Sequence, residues 1–326
     1  MPGSLRALRR RILTPDVMET KLEKRGFHVK NDEARELLER IGETFLRGYA
    51  LAAEARTPAE AEEQLEEIPP RFRGFAYEGA GMAFTILDAL PFGSGRGVDG
   101  FLRGRGNAHI YMIYVGIGWG MARLPRFLWP KSATLDPLLL WLVHDGYGFH
   151  QAYFHTERYV TQQFQDSGFP WPAGRNRGYA GRAIDQGIGR ALWFVGGTDV
   201  EKVVSMVEKF PRARRADLFS GVGLAATYAG GGAEDELREL RERAGHYRPQ
   251  LAQGSVFAAE ARVRAGLVVP HNEIATQVFC GSTPEQAARL SLDTRPAGAV
   301  PGVLPAYEMW RQRVADQLIS LGGVSP

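Results

Sequence analysis

Three of the seven histidines in this chain fall within twelve residues, in the order His144, Asp145, His150, His155, Glu157. Imidazoles and carboxylates in one short stretch are the raw material of a metal site or of proton transfer near neutral pH. The spacing does not favour a metal: there is no H-E-x-x-H and no paired E-x-x-H. On a helix His144 and His155 share a face and His150 lies off it. The residue types at His144, His150, His155 and Glu157 permit a metal, but the pattern does not call for one, and no metal ligand is assigned. Asp145, His150 and Glu157 stand as acid–base candidates, against the plainer alternative of satisfied imidazoles in an aromatic-rich helix.

A second set comes from a recurring phrase, roughly polar-Gly-x-Gly-x-Ala, that introduces an apolar segment each time. The residue just before its first glycine is Arg47, Glu78, Val115, Asp145, Gln186, Ser220 and Gln253 in turn. Six of these seven are polar in apolar surroundings. Stacked repeats would bring them into one row, either lining a groove or cavity or forming a ladder of hydrogen bonds between helices. Glu78 and Asp145 are the leading catalytic candidates of this row. Gln186 and its neighbour Asp185 are candidates for ligand contact. A third set is aromatic and includes Tyr111, Tyr114, Trp119, Trp141, Tyr147, Phe149, Tyr153, Phe154, Trp193 and Phe194. Such residues build cores, and they also wall sites for long apolar ligands. Tyr114, Trp119, Tyr147 and Trp193 are the ligand-contact candidates among them.

These residues need elements to hold them. The phrase starts at Gly48, Gly79, Gly116, Gly146, Gly187, Gly221 and Gly254, so successive copies are 31, 37, 30, 41, 34 and 33 residues apart. Self-similarity at such a period signals a repeat array. Leu38, Ile41, Phe45 and Tyr49 recur at helical spacing, as do Val200, Val203, Val204 and Val207. Helix starts are marked at Asp32, at Thr57-Pro58, at Thr198 or Asp199 and at Thr283-Pro284; Gly322-Gly323 marks a stop. The expected fold is all-α: a TPR-like solenoid of about seven helix pairs over residues 31–326, each pairing a glycine-marked apolar helix with a more polar one. Residues 1–30 are expected to be a basic lead-in, with Arg6, Arg9, Arg10, Arg11, Lys21, Lys24 and Arg25. Two stretches rich in Gly, Pro and Arg, 91–107 and 166–182, interrupt the pattern. Each glycine inside a helix costs about 1 kcal/mol relative to Ala, which close approach of helix axes would offset. The G-x-G is not a dinucleotide fingerprint, because no strand precedes it and no acidic residue follows at the required offset.

Composition narrows the function classes. The 326 residues are 44% apolar and 24% charged, with a net charge of +3. That basicity is weak, and no Lys/Arg stripe alternates with stacking aromatics, so nucleic acid is not an expected partner. No run reaches the length of a membrane span, and the first residues are too charged for a secretory leader. A single cysteine, Cys280, in an apolar stretch fits a buried thiol in a reducing cytoplasm. No flavin, nicotinamide, haem or iron signature is present.

The strings RGFAYEGAGMA, YVGIGWGMARLP, DGYGFHQAYFH, QGIGRALWFVGGTDV and DLFSGVGLAATYAGG, between Arg73 and Gly231, resemble the UnbL-type proteins of enediyne biosynthesis, and the resemblance covers roughly residues 5–320. That resemblance implies an accessory role beside the iterative enediyne polyketide synthase, on a polyene-derived intermediate and in company with other proteins of the same cassette. It carries no catalytic residues. Three roles follow as expectations: a scaffold or substrate-binding protein, an enzyme that desaturates or cyclises the polyene, or a product-binding self-resistance protein.

Overall fold

A computed structural model describes residues 3–91, 93, 95–171, 177–297 and 304–322. The described chain is all-helical, with no strand. Sixteen α-helices occur among the described residues: α1 Gly3–Leu13, α2 Leu22–Arg25, α3 Asp32–Glu54, α4 Pro58–Leu65, α5 Pro70–Ala89, α6 Gly97–Arg103, α7 Ile110–Arg123, α8 Leu140–Phe154, α9 Ala180–Val195, α10 Val200–Lys209, α11 Arg212–Ala229, α12 Glu234–Arg243, α13 Arg248–Arg264, α14 Pro270–Cys280, α15 Pro284–Thr294 and α16 Ala306–Ser320. Thr57, Asp199 and Thr283 cap α4, α10 and α15 as their sequence signals predict. Helix α3 is capped one residue earlier than expected, by Asn31, whose side chain accepts the Ala34 N–H at 2.8 Å.

Every glycine phrase sits inside a helix, on α3, α5, α7, α8, α9, α11 and α13. Each of these packs directly against the next in chain order, and the glycines are the reason. From α5 onward the first glycine of a phrase faces back and the second, where there is one, faces forward, while Gly48 of α3 faces forward to Ala76. A Cβ on Gly187 would overlap the Asp145 carbonyl of α8, and one on Gly189 would overlap the Leu218 carbonyl of α11. The same pairing recurs at Gly116 against Glu78, Gly146 against Val115, Gly221 against Gln186 and Gly254 against Ser220. The contacted carbonyl is thus that of the residue just before the previous helix's first glycine. Residue numbers rise along one helix as they fall along its neighbour, so consecutive glycine-marked helices run antiparallel. Close backbone approach of this kind favours weak Cα–H···O contacts and tight dispersion.

The more polar helices α4, α6, α10, α12 and α14 follow α3, α5, α9, α11 and α13. Among the described residues, α7 and α8 are joined only by short 3-10 turns, and α8 and α9 by a π turn at Glu157–Thr161 and a 3-10 turn at Arg177–Tyr179. The 91–107 stretch contributes α6 and a 3-10 turn at Arg105–His109; the 166–182 stretch lies partly outside the described residues. The basic lead-in is packed. Arg9 donates to the Ala53 and Ala55 carbonyls (2.6 and 2.9 Å), Lys21 pairs with Glu39 and Glu43, and Arg25 donates to the Tyr153 and Phe154 carbonyls. No helix among the described residues is long and apolar enough to cross a membrane. Cys280 is buried, and burial pushes its thiol up to about 12.

Candidate functional site

The glycine-marked helices surround an apolar chamber. It is lined from α3, α5, α7, α8, α9 and α11, and the turn at Val17–Thr20 contributes Glu19 and Thr20 to its rim. Atom-free space in the chamber, with the open solvent at its mouth included, is about 810 Å³. Phe45, Phe75, Trp119, Phe149, Tyr153 and Phe194 form much of the wall. The lining follows the phrase. Met82, Trp119, Phe149, Arg190 and Leu224 each lie three residues after a first glycine, and Arg123, Tyr153, Phe194 and Tyr228 lie seven after. This is the i, i+4 stripe of an α-helix.

Arg190 is the charged member of that stripe on α9. It is 5% exposed and bonds Asp145 of α8, while its Nη2 stands 3.9 Å from the Glu78 carboxylate of α5. Gln186 Nε2 donates to the other Asp145 oxygen at 2.9 Å and lies 3.0 Å from the Tyr307 hydroxyl. Burial works against the Arg190 charge, but Asp145 and Glu78 outweigh it and hold the guanidinium above its ordinary pKa. Burial pushes the Glu78 carboxyl up to about 7, with Arg190 opposing and Asp145 adding to the rise. Arg190, Leu224 and Tyr228 also line a second, smaller chamber with about 480 Å³ of atom-free space, on the side of α13 and α16. Asp145 faces this second chamber, beside Glu260 of α13. Glu260 accepts from Tyr111 and Ser291.

The predicted site residues therefore separate. Glu78 and Trp119 line the first chamber, and Asp145 joins Glu78 through Arg190. Asp185 lies elsewhere: it holds Arg214 in a two-pronged pair (Nε at 2.9 Å), and burial raises its carboxyl to about 6. Tyr147 shares a narrow cleft with that pair. Tyr114 accepts the Asp136 N–H at 2.8 Å, and Trp193 donates to the Gly230 carbonyl at 2.9 Å; neither lines a chamber described here. Glu157 is exposed and receives only Gln162, at 3.2 Å. It stands apart from Glu78 and Asp145 because α8 ends at Phe154 and the chain turns outward. The histidines do not converge. His144 donates to the Trp171 carbonyl at 2.6 Å among Trp141, Phe169 and Trp171, while His150 lies between Trp119 and Phe154. His155 is exposed past the helix end. Among the described residues no group of three or more His, Cys, Asp or Glu side chains is placed to hold a metal. Of the rest of the pre-glycine row, Ser220 and Gln253 form a ladder step and Arg47 is exposed: Ser220 donates to Gln253 at 2.8 Å, and Arg311 of α16 reaches Gln253, Asp217, Tyr179 and Glu308.

Sequence reasoning missed Arg190 and Tyr228. Arg190 had a signal, being a charged residue inside QGIGRALWF; Tyr228 had none, since it reads as one more core aromatic.

Burial also sets a pH dependence. It lowers His109 and His150 to about 3 and His144 and His271 to about 4, so all four fold neutral. Their contribution is complete above about 6.5, the unfolded value, and is lost as pH falls, because the unfolded chain takes up protons the folded one refuses. Glu78 and Asp185 act oppositely: their raised values make the folded state bind protons more tightly, so stability from them is lost as pH rises. At about 1.4 kcal/mol per unit per group, four histidines outweigh two carboxyls between pH 7 and 5. Stability to urea should therefore fall by on the order of 4 kcal/mol over that range, and His150→Phe should remove roughly a quarter of the histidine share. Stability that holds or rises on acidification would contradict this.

No curated protein and no solved structure matches the chain. A family match covers residues 4–318, under the description "Protein of unknown function (DUF1702)", and the chain belongs to that family.

Proposed function

We propose that the protein binds an elongated apolar small molecule in the chamber ringed by α3, α5, α7, α8, α9 and α11. The observation that carries this reading is the lining of the chamber: aromatic rings from six helices make its wall around few polar groups. The sequence phrases that resemble the UnbL-type proteins point to a polyene-derived intermediate of enediyne core biosynthesis. In that reading the protein is a cytoplasmic substrate-binding or scaffold accessory that acts with or after the polyketide synthase, beside other cassette proteins. Its architecture is then a wound succession of seven antiparallel glycine-marked helices in which α3 and α11 line one chamber, in place of a TPR-like stack of about seven helix pairs, whose equivalent helices would run parallel. Support for the winding comes from the seven glycine-marked helices packing in chain order.

The test is a fluorescence titration with a conjugated tetraene chain, whose emission rises in a dry environment. Saturable one-to-one binding is expected. Ala225→Leu, which fills the chamber from α11, should weaken it at least tenfold while the thermal melt is retained. Equal binding by that variant would place the ligand elsewhere. Deleting the gene in a producer and identifying what accumulates tests the pathway half: an unprocessed polyene supports it, and unchanged product formation refutes it.

One observation favours a second reading, that of an enzyme. Glu78 is poised near neutral pH beside a buried cation, the condition a general acid or base needs. Glu78→Gln that still binds the tetraene but no longer supports product formation would favour catalysis over carriage.

A further inference from the structure

Three donors on residues of the first chamber lack a protein acceptor in hydrogen-bond geometry: Trp119 Nε1, which leans toward the Glu78 carboxyl without reaching that geometry, Arg190 Nε and the Tyr228 hydroxyl. Their residues are 7%, 5% and 3% exposed. The orphan atoms come from α7, α9 and α11, three separate helices that the glycine contacts hold against their neighbours. Buried donors without acceptors are expensive, at roughly 1–3 kcal/mol each, and buried polar side-chain atoms are mostly paired. Three such donors on the wall of one apolar chamber make a device for one kind of group. That group must accept hydrogen bonds.

We infer that the chamber takes an apolar chain bearing a neutral carbonyl oxygen, a ketone or ester type of group, which is received by Trp119, Arg190 and Tyr228. This rests on the proposed apolar-ligand reading and names the polar end of that ligand. A carboxylate head would satisfy the same donors, and charge decides against it. Arg190 is already neutralised by Asp145, and Glu78 stands beside the guanidinium as a second carboxyl. An additional anion would sit uncompensated in a dry site, whereas a carbonyl adds no charge. Burial, the main cause of the raised Glu78 pKa, acts in the same sense: this dry wall disfavours a further negative charge.

Tyr228 is positioned for this by Gly74 of α5, where any Cβ would collide with the hydroxyl. Its ring is further held by Arg262, whose guanidinium stands 4.0 Å from the ring centroid. The hydroxyl is therefore fixed without being hydrogen-bonded.

The test compares a tetraenyl methyl ketone, the matching carboxylic acid and the matching hydrocarbon on the full chain at pH 7.5. The ketone is expected to bind about tenfold tighter than the hydrocarbon, with the acid weaker than the ketone. Tyr228→Phe, which removes only the hydroxyl, should weaken the ketone about fivefold and leave the hydrocarbon unchanged. The change removes no internal hydrogen bond, so the variant should keep the parent's melting behaviour. Equal affinity for ketone and hydrocarbon would overturn the carbonyl assignment and leave the apolar-ligand reading standing. Tightest binding of the acid would overturn the neutral head in favour of an anion. Failure of all three chains to bind would overturn the chamber reading, and this inference with it.

Discussion

Gly187→Ala should cost more than about 3 kcal/mol of stability or abolish soluble folding, although alanine is the better helix former. Propensity alone favours the change by about 1 kcal/mol. Against that, the new methyl would overlap the Asp145 carbonyl, and the Phe149 amide nitrogen lies at 2.8 Å. Both atoms belong to the backbone of α8, which cannot rotate away as a side chain can. Overpacking of this kind costs about 1–3 kcal/mol when side chains adjust and more when two helix axes must separate. Pushing α8 from α9 would also draw Asp145 off Arg190, so ligand binding should fall with stability. Gly178→Ala is the matched control, since nothing lies within 4 Å of its Cβ position; it should be neutral within about 0.5 kcal/mol. Urea denaturation of the two variants checks the pair. A stabilised Gly187→Ala would mean that the close crossing of α8 and α9 does not exist.

Arg190→Met should destabilise by about 3–5 kcal/mol at neutral pH, because it leaves Asp145 and Glu78 buried together without their cation. The loss should shrink on acidification, since protonating either carboxyl removes the uncompensated charge. Adding Asp145→Asn to Arg190→Met should restore a large part of it, because the amide can still meet Gln186. A single variant as stable as the parent would show that the guanidinium does not hold these carboxyls. Buried ion pairs are weak devices for stability, since a well-packed apolar replacement is often no worse. Their presence on a chamber wall, within helices otherwise built of Gly, Ala and aromatics, fits a role in receiving a ligand.

Much of this was readable in the residues, and the gaps have physical causes. The seven phrase starts became seven helices because periodicity and capping act locally. Which neighbour each glycine meets was not readable: a sequence shows that a small residue is needed, not which backbone approaches it. The pre-glycine row was half informative. Glu78 and Asp145 do share Arg190, whereas Ser220 and Gln253 turn to α16, an element outside the repeat. The chamber stripe, three and seven residues past each first glycine, escaped notice because most of its members are apolar and look like core. The histidine cluster misled for a geometric reason. His144 and His150 are six residues apart on α8 and face different surroundings, and His155 lies beyond the helix. Glu157 and the lead-in show the same lesson from opposite sides: a charged residue near a site in sequence was carried out to solvent, while a charged terminus was folded against the chamber rim.

The most direct test is a crystal structure of the full chain grown with the tetraenyl methyl ketone. The chain should lie between Phe45, Phe149, Tyr153 and Phe194, with its oxygen within hydrogen-bonding distance of Trp119 or Tyr228. A ligand seated outside the ring of glycine-marked helices, or a chamber filled by the protein's own side chains, would contradict the account.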